Sequence, residues 1–154
     1  MNSFLKILTN YIEKILVFLL SLIFVITFIL VVLRYVFNQS ITGANEIVTI
    51  LFIYTTAFGS ALSLGRGEHI SINMVINKLS SNNLKKIRYI QYILIFSLHA
   101  TLLLFCLDWI NTTGGYLMPA TGLPRIVVIS SIPFGCVLGL MYCLKHLIKS
   151  VGNN

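Results

Sequence analysis

Apolar residues fall into four long, nearly unbroken blocks, 15–33, 47–64, 89–107 and 126–144, with short polar stretches between them. In the first block Ser21 and Thr27 are the polar members. A helix rises ~1.5 Å per residue and a bilayer's hydrocarbon core is ~30 Å thick, so each block is just long enough to cross. Helices are required, because a spanning backbone finds no water and must satisfy its own N–H and C=O groups. Alternating strand-sized segments of ~10 residues, the mark of an outer-membrane barrel, are not seen. The pattern therefore predicts an all-α integral membrane protein, a single four-helix domain over 1–154. The first block is too long, starts too late and lacks the small-residue cleavage site of a signal peptide, so it is expected to be retained.

Ahead of that block, Phe4, Leu5, Leu8, Tyr11, Ile12 and Ile15 recur at helical spacing, while Asn2, Lys6, Thr9, Asn10, Glu13 and Lys14 fill the other face. This predicts an amphipathic helix in the headgroup region, with a plain extension of the first span as the alternative. Arg34 ends the first span and Glu46 opens the second, each suited to the helix dipole at its end. They lie on one side of the membrane and either pair or merely mark helix ends. The loop 65–88 is the longest and carries an apolar stripe, Ile70, Ile72, Val75, Ile76 and Leu79. Ser80 to Asn83 read as a turn and cap before the third helix. The loop 111–125, with Gly114, Gly115, Pro119, Gly122 and Pro124, reads as a coil with turns. In the fourth span Pro133 should bend the helix near Ile129, whose carbonyl loses its donor. Gly135 and Gly139 should admit a close helix neighbour, and Ala57, Gly59, Ser60 and Ser63 offer the same on the second span.

Composition sharpens this picture. Of 154 residues, 57% are hydrophobic and 10% charged, with a mean hydropathy of +0.93. A soluble domain carries about 25% charged residues, so neither a disordered chain nor a water-soluble globule is compatible. Nine of the eleven Lys and Arg residues fall in the amino-terminal segment, the 65–88 loop and the carboxyl tail. Arg34 and Arg125 are the other two. The positive-inside rule then places both termini in the cytoplasm. The net charge of +7 reads as a topology and phospholipid signal, not as nucleic-acid binding, because the cations are spread over short segments.

The spans hold little chemistry. No Lys, Arg, Asp or Glu falls mid-span, where a charge costs ~2.5–3.5 kcal/mol on insertion scales and is kept mainly for work. A proton-coupled pump or self-sufficient exchanger would need one. Cys106, Cys136 and Cys143 form no CxxC pair and read as small buried residues. His99 is the deep ionisable group; it is expected to be neutral and to hydrogen-bond across helices. His69 and His146 lie outside the spans, so a haem or metal reading fails on number and depth. No phosphate loop, HExxH or nucleophile elbow is present. No cofactor and no enzymatic activity are expected. The pattern fits a scaffold or accessory subunit that covers another membrane protein. The alternatives are a stand-alone small transporter or channel and a membrane redox subunit.

Two stretches carry a family likeness. The first is Arg34-Tyr35-Val36-Phe37-Asn38-Gln39-Ser40-Ile41-Thr42-Gly43-Ala44-Asn45-Glu46. The second is Gly59-Ser60-Ala61-Leu62-Ser63-Leu64-Gly65-Arg66-Gly67-Glu68-His69-Ile70-Ser71-Ile72. Their ordered combination, together with Ile132-Pro133-Phe134-Gly135, resembles the small (Q-type) membrane subunit of TRAP, tripartite ATP-independent periplasmic, transporters. Asn73 stands where that family usually has an acidic residue. The resemblance implies a bacterial inner-membrane protein bound to a large membrane subunit that carries the substrate and Na⁺ sites. It also implies a soluble periplasmic binding protein that delivers a carboxylate, of the C4-dicarboxylate or sialic acid class. The large subunit would work as an elevator, driven by the Na⁺ gradient, against a static scaffold enlarged by the small one. On that footing Arg34, Asn38, Glu46, Asp108 and Arg125 are expected to form a periplasmic docking rim. Gly59, Ser63, Pro133, Gly135 and Gly139 are expected in helix packing. Arg66, Glu68 and His69 are expected to order the cytoplasmic turn.

Overall fold

A computed structural model describes residues 2–66 and 81–151, and among them the regular secondary structure is helical apart from one isolated antiparallel bridge, Leu117 to Pro124. The helices are α1 (Asn2–Val36), α2 (Ala44–Arg66), α3 (Ser81–Thr113), the short α4 (Ile126–Ile129) and α5 (Ser131–Val151). Four stretches are long and apolar enough to cross a membrane: Ile7–Val36, Ala44–Arg66, Tyr89–Thr113 and Ile126–Ile148. The chain is thus a multi-pass membrane protein.

α1, α2 and α3 run past both ends of their apolar blocks, and α5 runs past the end of the fourth. At ~1.5 Å per residue, the 35 residues of α1 extend about 50 Å, well beyond a ~30 Å hydrocarbon core. The amino-terminal amphipathic stretch is helical as expected, but no break separates it from the first span. Its stripe finds a protein surface: Leu8 and Ile12 pack against the core. Likewise α3 begins at Ser81, so Ser81 to Asn83 form its first turn instead of a loop before it. Hydrogen bonding continues the helix where hydropathy stops.

The helices stand in a row. α5 lies between α2 and α3, and α1 packs mainly against α2, touching α5 at the end near the chain termini. Alternating direction puts the two chain termini at one end of the bundle and the loops 37–43 and 114–125 at the other; these are the terminal end and the loop end below. The core, Ala61, Leu64, Leu138, Tyr142 and Cys143, sits towards the terminal end, flanked by Phe58, Tyr92, Ile95 and Phe96. All three cysteines are free and buried. Large apolar side chains on α1 and α3, such as Phe18, Phe24, Leu94 and Phe105, are exposed, as lipid or a neighbouring subunit requires.

Candidate functional site

At the loop end, α1 closes on Asn38, whose φ of +51° is left-handed. Asparagine tolerates that region better than most residues. The turn lets the Gln39 N–H reach back to the Leu33 carbonyl at 3.0 Å. It holds Asn38, Gln39 and Ser40 above Arg34. Gly43 follows with φ +86°. A side chain there would strain the backbone and meet Thr121 Cγ2 at 3.0 Å, so the first interhelical loop rests directly on the second.

Glu46 fastens that contact. Its Oε1 accepts the Ala120 N–H at 3.0 Å, and its Oε2 accepts the Thr121 N–H at 2.8 Å and the Thr121 hydroxyl at 2.7 Å. The carboxylate is therefore committed to the 114–125 loop and not to Arg34. Two backbone N–H groups and a hydroxyl in one turn give the carboxylate three charge-assisted bonds. The loop itself is more ordered than a coil. Met118 and Leu123, Gly122 and Met118, and Arg125 and Tyr116 are joined by backbone hydrogen bonds of 2.8–3.0 Å, giving a small hairpin.

The expected rim is thus brought together in part. Arg34 and Asn38 share one cavity wall with Asn45, and Glu46 ties this corner to the second loop. Arg125 is exposed and its N–H closes the hairpin on Tyr116. Asp108 is exposed on α3; among the described residues its carboxylate meets none of the other four. Arg34 likewise makes no ion pair among them.

The packing residues divide by neighbour. A Cβ on Gly135 would lie 2.8 Å from the Ala57 carbonyl oxygen of α2. One on Gly139 would lie 2.5 Å from the His99 ring of α3. The two glycines therefore face different helices of this same chain. His99 itself bonds the Ile95 carbonyl of its own helix through Nδ1 at 2.9 Å. It packs across helices but hydrogen-bonds within one, because the ring fills the notch that Gly139 leaves. Gly59 is different: nothing lies within 4 Å of where its Cβ would be. Ser63 is half-buried.

Pro133 breaks the fourth span between α4 and α5, at Ser130. The Val127 and Val128 carbonyls there accept from hydroxyls, as a backbone in lipid favours. Tyr54 donates to the Val127 carbonyl at 2.7 Å and lies 3.1 Å from the Ser130 hydroxyl. Ser131, fully buried, donates to the Val128 carbonyl at 2.8 Å. Tyr54 was not singled out in the sequence; a tyrosine well inside an apolar block, with a hydroxyl needing a partner, was the available signal.

At the terminal end Arg66 forms an ion pair with Glu13, joining α1 to α2. Both side chains are more than a third exposed, 38% and 42%, so the pair is worth ~0–1 kcal/mol. Thr9 and Tyr142 share a hydrogen bond of 2.6 Å, and His146 stacks on Tyr92 while its Nε2 sits 3.3 Å from the Gly65 carbonyl. Glu68, His69 and the 70–79 apolar stripe lie outside the described residues. Among the described residues no cluster of three His, Cys, Asp or Glu groups is placed to hold a metal.

A family model described as tripartite ATP-independent periplasmic transporters, DctQ component, matches residues 23–153. A Haemophilus influenzae protein named as a TRAP transporter small permease is 28% identical over 135 residues, spanning 88% of this chain and 78% of that protein.

Proposed function

The chain belongs to the DctQ-component family of tripartite ATP-independent periplasmic transporters, and from that premise we propose that it is the static, non-catalytic scaffold subunit of a Na⁺-driven organic-acid importer. It sits in a bacterial inner membrane with both termini cytoplasmic, so the loop end is periplasmic. It binds the large transport subunit along the open face of α2 and offers the 114–125 hairpin, with Arg125, to the binding protein that delivers substrate. The substrate is a carboxylate of the C4-dicarboxylate or sialic acid class, and its site lies on the large subunit.

The observation that carries this reading is the contrast between Gly135 and Gly59. The internal glycine contacts are used up inside the chain, whereas α2 has empty space at Gly59 and exposes Thr56 and Ser60 near it, with Thr49 exposed about 15 Å further along the same helix. The hydroxyls of those three residues bond carbonyls of their own helix. They need no polar partner, and around Gly59 they leave room for another helix to lie closely, with the exposed ring of Phe52 two turns away on the same side. No charged group interrupts the spans at mid-depth, as suits a support and not a conduit.

Gly59→Leu is the direct test. It should leave the chain's own unfolding midpoint within the scatter of wild type, because no neighbour is displaced. It should lower co-purification of the large subunit by about tenfold or more, as one overpacked contact of ~1.4 kcal/mol or more requires. Equal recovery of the large subunit would remove α2 from the interface.

A further inference from the structure

Where α1 and α2 part at the loop end, two adjoining cavities open. The upper one, about 400 Å³, is lined by Arg34, Asn38, Gln39, Ser40 and Asn45. The deeper one, about 250 Å³, shares Arg34, Ser40 and Asn45 and continues along Leu30, Val31 and Val48 to Thr27. We propose that this cleft seats one phospholipid, its phosphate on Arg34 and the top of one acyl chain in the slot leading to Thr27.

Three features select that ligand. The mouth is rich in donors: a guanidinium, three side-chain amides and a hydroxyl, with no carboxylate on either wall. The nearest acid, Glu46, is turned away and held by Ala120 and Thr121. An unopposed guanidinium beside amides suits an acceptor-only anion, and its fork matches phosphate oxygens in pairs. Secondly, the left-handed Asn38 turn, closed by the Gln39 N–H on the Leu33 carbonyl, fixes the backbone that carries Asn38, Gln39 and Ser40 beside Arg34. Thirdly, the cleft does not end at the polar mouth. Thr27 lies two turns along α1 from Arg34, about 10 Å deeper, inside an apolar block where water is excluded. A soluble anion would leave that slot empty, and a carboxylate on a docked protein would reach only the mouth. A phospholipid has a part for each. It would also caulk the gap at the outermost helix of the row, which at this end has α2 as its flank.

The experiment is native mass spectrometry of the full-length chain in mild detergent with added phosphatidylglycerol. Wild type should retain one lipid per chain. Arg34→Ala should lower retention about tenfold or more, the size of a lost charge-assisted pair. Val48→Phe, which keeps Arg34 but fills the slot, should lower it comparably. Inorganic phosphate in large excess should displace little, because it lacks the chain. Helical content by circular dichroism must match wild type for each variant. If Arg34→Ala does not fold, Arg34→Lys takes its place: it keeps the charge, loses the fork, and should give intermediate retention. Unchanged lipid retention in these variants overturns the proposal, and so does full displacement by inorganic phosphate, which would make the site one for a free anion. Lipid retention intact in Arg34→Ala with weakened binding-protein capture would assign Arg34 to a protein carboxylate instead, and would also overturn it.

Discussion

Gly135→Leu is expected to pull α2 away from α5 and to abolish assembly with the rest of the transporter. The new Cβ would meet the Ala57 carbonyl oxygen at 2.8 Å and its carbon at 3.1 Å. These are backbone atoms and cannot swing aside, so the helices themselves must move. Overpacking of this kind costs ~1–3 kcal/mol where side chains can adjust, and a rigid partner puts it at the upper end. α2 against α5 is the middle contact of the row, so the damage spreads. The Tyr54 bond to Val127 and the Glu46 bonds to the second loop both span the same gap. The measurements are the unfolding midpoint in detergent and recovery of the large subunit on a tagged chain; both should fall sharply. A variant that unfolds like wild type and assembles fully would show that α2 and α5 do not meet there.

Tyr142→Ala should produce the other large loss, this time at the terminal end. Tyr142 is 1% exposed. Its ring lies against Gly65, where a Cβ would come within 2.7 Å, and its hydroxyl meets Thr9. One side chain thus joins α5 to α2 and to α1. Truncating a large aromatic costs ~3–5 kcal/mol in a water-soluble core. In lipid the transfer part largely vanishes, since the replacement medium is also apolar, and what remains is packing and a hydrogen bond. About 2 kcal/mol of destabilisation is expected. Tyr142→Phe keeps the ring and should recover most of it, since a hydrogen bond within a membrane averages ~0.6 kcal/mol. Denaturation in mixed detergent micelles reads both. Equal losses for the two variants would mean that the Thr9 bond, not the ring, holds this end together.

The four crossings were legible in the sequence because hydropathy reports directly on the solvent, and the bilayer is the solvent. The break at Pro133 was legible too, since a missing N–H leaves its mark wherever it falls. Helix ends were less so. Lys85, Lys86 and Arg88 ended the apolar block at Tyr89, yet α3 runs back to Ser81, because charge limits the crossing and not the helix. The order of the row was not legible at all. In water an apolar stripe names the buried face, but in lipid every face is apolar, and periodicity no longer says which side meets a neighbour. Gly135 and Gly139 could be read as places of close approach without revealing that one faces Ala57 and the other His99. The rim suffered in a similar way. Glu46 and Arg34 invited pairing by charge, but the carboxylate's partners are on a loop 75 positions away and include backbone N–H groups, and backbone donors have no letter in the sequence. Gly59 looked equivalent to Gly135, and what separates them is the empty space beside one and the carbonyl beside the other.

The central claim is that this chain supports a transport pathway and contains none. Reconstitution into sealed liposomes tests it most directly, with labelled organic acid outside and an inward Na⁺ gradient. The purified chain alone should give no uptake above empty vesicles, and uptake should emerge when the large subunit and the binding protein are added with it. Movement of Na⁺ or of the organic acid through vesicles holding this chain by itself would contradict the claim.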